Sequence, residues 1–185
     1  GIFRTTDGGS QWMVQGGASY VRAIHMVNAT IGTAVGGGGQ ILRTTTGGMF
    51  GWQRQISGTS EILRSVAFAD ANLGIAVGDS GVIRTSDGGT TWDRMLIASS
   101  LWGISFPHTS IATAVGSGGI ILRTTDGGGT WSLQTSGVQS LLTAVHFVDM
   151  NLGYVVGLSG VILKTTNAGA TWMPQSSGTT LGFYA

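Results

Sequence analysis

Eight carboxylates are the residues of this chain that could do acid–base chemistry. Five of them recur at two positions of a repeated unit, which gives them a structural explanation: Asp7, Asp70, Asp87, Asp126 and Asp149. Three carboxylates remain, on Glu61, Asp79 and Asp93. Hydrolysis of a glycosidic bond needs two carboxylates that flank one bond, and these three stand at unrelated places in the unit. We therefore predict no catalytic residues and a protein that is not an enzyme.

The three histidines give little support to a metal site. His25 and His146 take the same place in the first strand of two units, where they could face the axis of a ring. A zinc site needs three or four protein ligands, but no acid accompanies these histidines and the chain has no cysteine. We interpret His25 and His146 as hydrogen-bonded structural residues and His108 as exposed. We predict neither a metal nor a cofactor.

The basic residues are the strongest candidates for binding. Five of the nine take one position in the third strand of the unit, and we call them the strand-three arc: Arg4, Arg43, Arg84, Arg123 and Lys164. Two interpretations stay open. Either their stems pack between units while the guanidinium groups cap backbone carbonyls, or the arc binds an acidic partner protein through carboxylate contacts. The other four arginines are interpreted as ordinary surface charges: Arg22, Arg54, Arg64 and Arg94.

The units that position these residues are marked by a hairpin motif that occurs five times. The copies are RTTDGGSQW, RTTTGGMFGW, RTSDGGTTW, RTTDGGGTW and KTTNAGATW, and their tryptophans are 40, 40, 39 and 41 residues apart. Such a spacing is typical of repeat proteins. The Asp side chain can accept backbone hydrogen bonds, and the glycines supply the positive φ of a tight reversal. We predict a structural role for the recurring residues: Asp7, Asp87, Asp126, Asn167, Trp12, Trp52, Trp92, Trp131 and Trp172.

Each complete unit contains four short apolar runs separated by turns, as in LLTAVHFV, GYVVG, VILKTT and ATWMPQ. Four antiparallel strands in about 40 residues is the content of a β-propeller blade. We predict one all-β propeller domain with four complete four-stranded blades and a partial blade, and we expect Trp102 in its core. The predicted segments are a partial blade at 1–18, complete blades at 19–58, 59–98, 99–138 and 139–178, and the start of a further blade at 179–185.

The open ends of this blade pattern suggest that the chain is incomplete as a ring. We expect a fragment of a larger ring, or a ring completed by another chain. Unpaired strand edges are normally covered, so we do not expect a self-sufficient monomer.

Composition excludes several classes of function. Charged residues are only 9% of the chain and the net charge is +1, so nothing indicates a nucleic-acid partner. Residues 95–122 carry no charge and are long enough for a membrane helix. However, Pro107 and four glycines interrupt the stretch, and it aligns with other units. We predict three strands there and no membrane span. No signal segment is visible in the chain.

The hairpin resembles the Asp-box or BNR-type repeat, (S/T)-x-D-x-G-x-x-W. With the GxAVGxxGxILRTTDGGxTW pattern and the LxxVxFxDxNxG strand before it, essentially the whole chain is similar to the photosystem II stability/assembly factor family. The resemblance implies a seven-bladed propeller in the thylakoid lumen that binds newly made reaction-centre protein. It also implies an arginine-rich patch that holds the client.

From this resemblance we expect a non-catalytic, protein-binding scaffold whose partner is a photosynthetic or other membrane complex. Its expected place is outside the cytoplasm: the thylakoid lumen, the periplasm or the secreted fraction. Two alternatives stay open, because fold does not fix function. One is an exported adhesion or structural repeat protein, and the other is an Asp-box glycosidase of the sialidase type.

Overall fold

Short antiparallel strands make up the regular structure of the chain. The computed structural model describes residues 1–15 and 20–184. A two-stranded sheet comes first, with β1 (Phe3–Arg4) and β2 (Met13–Val14). Four four-stranded sheets follow in chain order: β3 (Val21–Met26), β4 (Gly32–Gly36), β5 (Ile41–Thr44) and β6 (Gln53–Gln55); β7 (Leu63–Phe68), β8 (Gly74–Gly78), β9 (Gly81–Thr85) and β10 (Asp93–Leu96); β11 (Leu101–His108), β12 (Ile111–Gly116), β13 (Ile121–Thr124) and β14 (Ser132–Gln134); β15 (Leu142–Phe147), β16 (Gly153–Gly157), β17 (Ile162–Thr165) and β18 (Met173–Pro174). The prediction of an all-β chain with four complete blades and one partial blade is confirmed.

Within each four-stranded sheet, the order in space is the order in sequence. Two short 3-10 segments, Gly37–Gly39 and Ser117–Gly119, join the second and third strands of the first and third four-stranded sheets. In the part of the chain that the structure describes, no helical segment has the length and hydropathy needed to span a membrane. The predicted boundary between residues 18 and 19 lies outside the described residues, as does residue 185 of the last predicted segment.

The hydrophobic core lies between consecutive sheets. One cluster joins Val35 and Ile41 of the first four-stranded sheet to Phe68 of the second. Another joins Val77 of the second to Leu101 of the third. Strands β4 and β8 are buried along their whole length. Neighbouring strands cover the edges of these two strands, and neighbouring sheets cover both of their faces. This explains why apolar residues occur at both odd and even positions along a strand. The sheets therefore pack face to face as the blades of a propeller.

The two ends of each blade form two different faces of the protein. At one end, the turn between second and third strands bonds to the segment that enters the first strand, as where Asp79 N–H donates to the Ile62 carbonyl at 3.1 Å. We call this the connection face. At the other end, the hairpin motif bonds to the turn after the first strand, as where Gly88 N–H donates to the Asn72 carbonyl at 3.0 Å. We call this the hairpin face. The first strands β3, β7, β11 and β15 contact one another in succession, so they lie nearest the axis.

The aspartates of the hairpins organise their own loops. Oδ1 of Asp126 accepts the Thr130 N–H at 2.9 Å and the Thr124 hydroxyl at 2.7 Å. Asn167 makes the same pattern with a neutral amide, because its Oδ1 accepts the Thr171 N–H at 3.0 Å. These bonds to the charged form hold the pKa of Asp126 well below its ordinary value, with the Thr130 N–H as the main cause.

Two of the hairpin tryptophans, Trp92 and Trp172, pack back on their own blades, whereas Trp12 is exposed. Trp92 meets Phe68 edge to face at 6.1 Å between ring centroids, and Trp172 meets Phe147 in the same way at 5.9 Å. In addition, Trp172 Nε1 donates to Gln134 Oε1 of the preceding blade at 3.2 Å. Each of these two tryptophans therefore closes its hairpin over the apolar first strand.

The hairpin carboxylates should make the fold sensitive to acid. The Thr91 N–H lowers the pKa of Asp87 to about 2, and bonds from Gln11 and Thr130 lower the pKa of Asp7 and Asp126. A depressed pKa in the folded state stabilises the fold above the unfolded value of about 3.9, and this contribution is lost as the pH falls through the folded pKa. We therefore expect the melting temperature to decline between about pH 4 and pH 2.

The matched variant replaces the three aspartates with the residue that the last hairpin already uses. Asparagine accepts the same hydrogen bonds but has no titrating proton. The triple variant Asp7→Asn/Asp87→Asn/Asp126→Asn should therefore show a smaller fall in melting temperature at acid pH. Circular dichroism melts from pH 5 to pH 2 measure the effect. A triple variant whose melting temperature falls as steeply with acid as that of the wild type would contradict the prediction.

Candidate protein-binding site

Three arginines of the strand-three arc, Arg43, Arg84 and Arg123, reach from one blade to the next rather than lying on one open surface. Arg43 is only 8% exposed, and its Nη1 donates to Thr33 Oγ1 of its own blade at 2.8 Å. Its Nη2 donates to the Ala71 carbonyl of the next blade, and the guanidinium carbon is 4.8 Å from the centre of the Phe68 ring. Burial lowers the pKa of Arg43 from its ordinary value.

The other members of the arc differ in their contacts. Arg123 repeats the arrangement of Arg43 with weaker geometry, at 3.4 Å from the Thr113 hydroxyl. Arg84 Nε donates to the Gly127 carbonyl of the next hairpin at 2.8 Å. Lys164 lies 5.7 Å from the Tyr154 ring of its own blade, and Arg4 is half-buried. These contacts favour the packing interpretation for the three arginines Arg43, Arg84 and Arg123. None of them tests partner binding by the arc, which stays a prediction.

A second set of side chains meets at the axis, on the connection face. The first strand of every complete blade has a β-bulge near its start, where the register of pairing with the second strand skips one residue. The skipped residues are Arg22, Arg64, Trp102 and Thr143. A bulge turns its extra side chain away from the regular alternation of the strand, so the four blades present these residues in succession.

The segment after the fourth blade adds a fifth member. Phe183 N–H donates to the Gly157 carbonyl at 3.0 Å, and the Thr143 hydroxyl donates to the Phe183 carbonyl at 2.7 Å. These bonds place Tyr184 beside the fourth blade. All five side chains line one cavity of about 150 Å³, and we call them the bulge arc: Arg22, Arg64, Trp102, Thr143 and Tyr184.

The bulge arc has a basic end and an aromatic end. Arg64 Nε and Nη2 both lie 2.7 Å from Oδ1 of Asp79, and the guanidinium carbon is 4.0 Å from the centre of the Trp102 ring. Arg22 is exposed and forms no hydrogen bond or ion pair with the residues that the structure describes. An adjoining cavity of about 320 Å³ is lined by Arg22, Arg64 and Trp102 together with apolar residues of the first strands, among them Ile104 and Val145.

Sequence reasoning missed this site. Trp102 was interpreted as a core residue, but it is only half-buried and lines the cavity. Arg64 was interpreted as an ordinary surface charge, but it is half-buried and paired with Asp79. Arg22 is exposed, in agreement with its interpretation as a surface charge. A bulge depends on pairing with the neighbouring strand, and a single strand read with a period of two does not reveal it. One signal was present: the second residue of each first strand varies between Arg, Trp and Thr while the residue before it is always apolar.

The histidines and the remaining acids do not form a reactive group. His25 stacks on Phe68 at 6.4 Å, and burial lowers its pKa. His146 is exposed, and Asp79 is engaged by Arg64. Glu61 and Asp93 are both exposed, the first in a connection between blades and the second in an outermost strand. Among the described residues, no three His, Asp or Glu side chains come together as metal ligands would.

Solved structures share this architecture. YCF48 bound to a D1 peptide is 25% identical to this chain, with a TM-score of 0.57; the likeness covers 63% of this chain and 41% of that one. YCF48 from Cyanidioschyzon merolae is 16% identical over 99% of this chain and 69% of its own, with a TM-score of 0.72. An ancestral GH74 enzyme is 16% identical over 86% of this chain and 24% of its own, with a TM-score of 0.70. The two likenesses at 16% identity show the fold alone.

Sequence comparison identifies the family. The chain spans 41% of the length of the first of these relatives, and a search of curated proteins gave no significant match. Residues 45–135 and 94–181 each match the sequence profile of the family described as photosynthesis system II assembly factor YCF48. The two matches together extend from residue 45 to residue 181, well over half of the chain. The chain therefore belongs to the YCF48 family of photosynthesis system II assembly factors.

Proposed function

We propose that this chain is a non-catalytic scaffold that holds a client protein at the bulge arc during assembly of photosystem II. The observation that carries the proposal is the convergence of five bulge-arc side chains on one cavity at the axis. An exposed arginine and two aromatic residues in one concave site suit a peptide segment better than a small reactive substrate, because they offer charge pairing and stacking without a free nucleophile.

Family membership supports the choice of client. A relative in the same family is described as bound to a D1 peptide. We propose that this chain binds the same class of segment, from a reaction-centre protein of photosystem II. The glycosidase alternative is weakened because the likeness to the GH74 enzyme reaches only 16% identity. In addition, Asp79 is engaged by Arg64 and Asp93 lies in an outermost strand.

The proposed place of action is outside the cytoplasm, in the thylakoid lumen or an equivalent compartment. This proposal rests on the resemblance to the assembly factors. Fractionation of the source cells, followed by immunoblotting with a cytoplasmic marker, tests it. Recovery of the protein with the cytoplasmic marker would contradict it.

Loss of the arginines of the bulge arc should weaken client binding. We expect the double variant Arg22→Gln/Arg64→Gln to bind a fluorescently labelled D1 peptide about tenfold more weakly than the wild type, because charge-assisted hydrogen bonds contribute about 1.5–3 kcal/mol. Binding by the wild type should also weaken as salt rises, since contacts between exposed charges are screened beyond about 10 Å at 0.1 M. Fluorescence anisotropy titrations at 0.05 and 0.5 M salt measure both effects.

The matched control is Arg54→Gln/Arg94→Gln, which removes the same charge from exposed residues of the outermost strands β6 and β10. Thermal melts of both double variants establish that they are folded. If the two double variants weakened peptide binding equally, the effect would come from net charge, and the bulge arc would not be the binding site. The absence of any peptide binding by the wild type would overturn the proposed function itself.

A further inference from the structure

The bulge arc contains two arginines, but only one of them offers an uncompensated charge. Arg64 directs Nε and Nη2 to the same carboxylate oxygen of Asp79, at 2.7 Å each. The side chains of this pair are 17% and 25% exposed, so solvent only partly screens their interaction. A second carboxylate brought to Arg64 would meet the negative charge of Asp79. Among the described residues of the bulge arc, Arg22 is therefore the cation that can pair with a ligand.

Arg64 performs a different task, which is to hold Trp102 in place. Its guanidinium lies 4.0 Å from the centre of the indole ring, the geometry of a cation–π contact. Asp79 fixes the guanidinium from the side, so the indole is packed on one face before any ligand arrives. A preorganised aromatic surface loses little side-chain entropy on binding. Strand β15, which carries Thr143, packs against the strand of Trp102, and the bond from the Thr143 hydroxyl to the Phe183 carbonyl brings Tyr184 to the same cavity.

The Thr143 side chain, which lines the cavity together with the two aromatic residues, offers no free polar group. Thr143 is 8% exposed, and its hydroxyl is engaged by the carbonyls of Phe183 at 2.7 Å and Val156 at 3.2 Å. Tyr184 is 71% exposed, so its ring has a face available to a ligand. Trp102, Thr143 and Tyr184 line the same cavity. A cavity lined by two aromatic side chains and a satisfied hydroxyl suits a planar apolar group.

We propose that the bulge arc recognises a client segment with one carboxylate close to an aromatic side chain. The carboxylate pairs with Arg22, and the aromatic ring enters the slot between Trp102 and Tyr184. This inference rests on the proposed function and adds a specificity to it: the site selects an acidic–aromatic pair rather than a run of acidic residues. Trp102 and Tyr184 contact the client, while Asp79 and Arg64 position Trp102.

The test starts from a phage library of random dodecapeptides, selected on the immobilised chain. The expected result is enrichment of peptides that contain one Asp or Glu within a few residues of Phe, Tyr or Trp. The best peptide and its derivative with the aromatic residue changed to Ala are then titrated against the wild type, Trp102→Ala and Trp102→Phe. Leu133→Ala serves as the control, because Leu133 is an exposed apolar residue of the outermost strand β14.

The expected pattern is a coupling between Trp102 and the aromatic residue of the peptide. Trp102→Ala should weaken binding of the parent peptide about 3- to 10-fold, because edge-to-face or stacked aromatic pairs contribute about 0.5–1.5 kcal/mol. Trp102→Ala should leave the affinity for the derivative without the aromatic ring almost unchanged. Trp102→Phe should bind the parent peptide nearly as tightly as the wild type does. Tyr184→Ala should behave like Trp102→Ala, and Leu133→Ala like the wild type.

The outcomes separate this inference from the proposed function. Selection of acidic peptides without aromatic residues, with equal affinity for the wild type and Trp102→Ala, would overturn the inference and leave a peptide-binding scaffold. Equal weakening of both peptides by Trp102→Ala would also overturn it, since no ring would then occupy the slot. Selection of no peptide by the folded wild type would count against both proposals.

Discussion

The variant Gly119→Ala is expected to melt about 10 °C below the wild type, with a loss of about 2–5 kcal/mol in the free energy of unfolding. Gly119 ends the 3-10 segment on the connection face of the third blade and has φ of 73°. A methyl group there would overlap the carbonyl oxygen of Val138 and come within 3.0 Å of Ser136 Oγ. Both atoms belong to the link that enters the fourth blade, so the two blades could not pack as they do.

The residue next to it provides a matched control. Gly118 has φ of 68°, and a methyl group on it would meet no atom within 4 Å. Gly118→Ala therefore carries only the cost of the left-handed backbone, about 1–2 kcal/mol. Urea unfolding followed by tryptophan fluorescence compares the two variants. Equal losses would mean that backbone conformation alone, and not the approach of the Val138 carbonyl, requires glycine at position 119.

The variant Arg43→Met is expected to lose about 2–4 kcal/mol of stability, because two hydrogen bonds from a buried charged group and a contact with an aromatic face disappear together. Methionine keeps the apolar stem that packs between the blades. The hydrogen-bond partners left behind are the Thr33 hydroxyl and the Ala71 carbonyl. The carbonyl is in a turn that water can reach, which keeps the loss below that of a fully buried pair.

Arg54→Met controls for the change of residue type, since Arg54 is exposed on the outermost strand of the same blade. Its stability should stay within about 0.5 kcal/mol of the wild type. Arg43→Met should also bind the D1 peptide as the wild type does, if the bulge arc is the binding site. A folded Arg43→Met protein of wild-type stability and weaker peptide binding would instead support partner binding by the strand-three arc.

The sequence alone was enough to predict the architecture, because the interactions that specify a blade are local. The hairpin RTTDGGGTW carries its own turn chemistry: Asp126 accepts hydrogen bonds from residues within four positions, and the glycines take the positive φ values. Alternation of short apolar runs and turns then gives a four-stranded meander. The repeat of this unit predicts face-to-face packing, since each sheet is apolar on both sides.

The candidate site was not predictable in the same way, because its members depend on contacts between distant residues. Arg22 and Thr143 are 121 positions apart, yet both line one cavity. Arg64 was interpreted as a surface charge because it lies outside the repeated third-strand position. Its partner Asp79 lies across a turn, 15 positions later in the chain. Trp102 was expected in the core because Leu63 and Leu142 were aligned with it in other units. The strand pairing shows instead that Trp102 takes the bulge position, as Arg64 and Thr143 do in their blades.

The strand-three arc shows the same division. Its spacing in the sequence correctly indicated equivalent positions in successive blades, because strand order is local. Whether its guanidinium groups face solvent or the next blade depends on how closely the sheets approach. Small residues such as Ala34 and Ala76 in the buried second strands permit that approach, and Arg43 then reaches the Ala71 carbonyl. Local chemistry in the sequence therefore determined the blades, whereas the packing of one blade on the next decided which of their polar residues are buried and which meet at the axis.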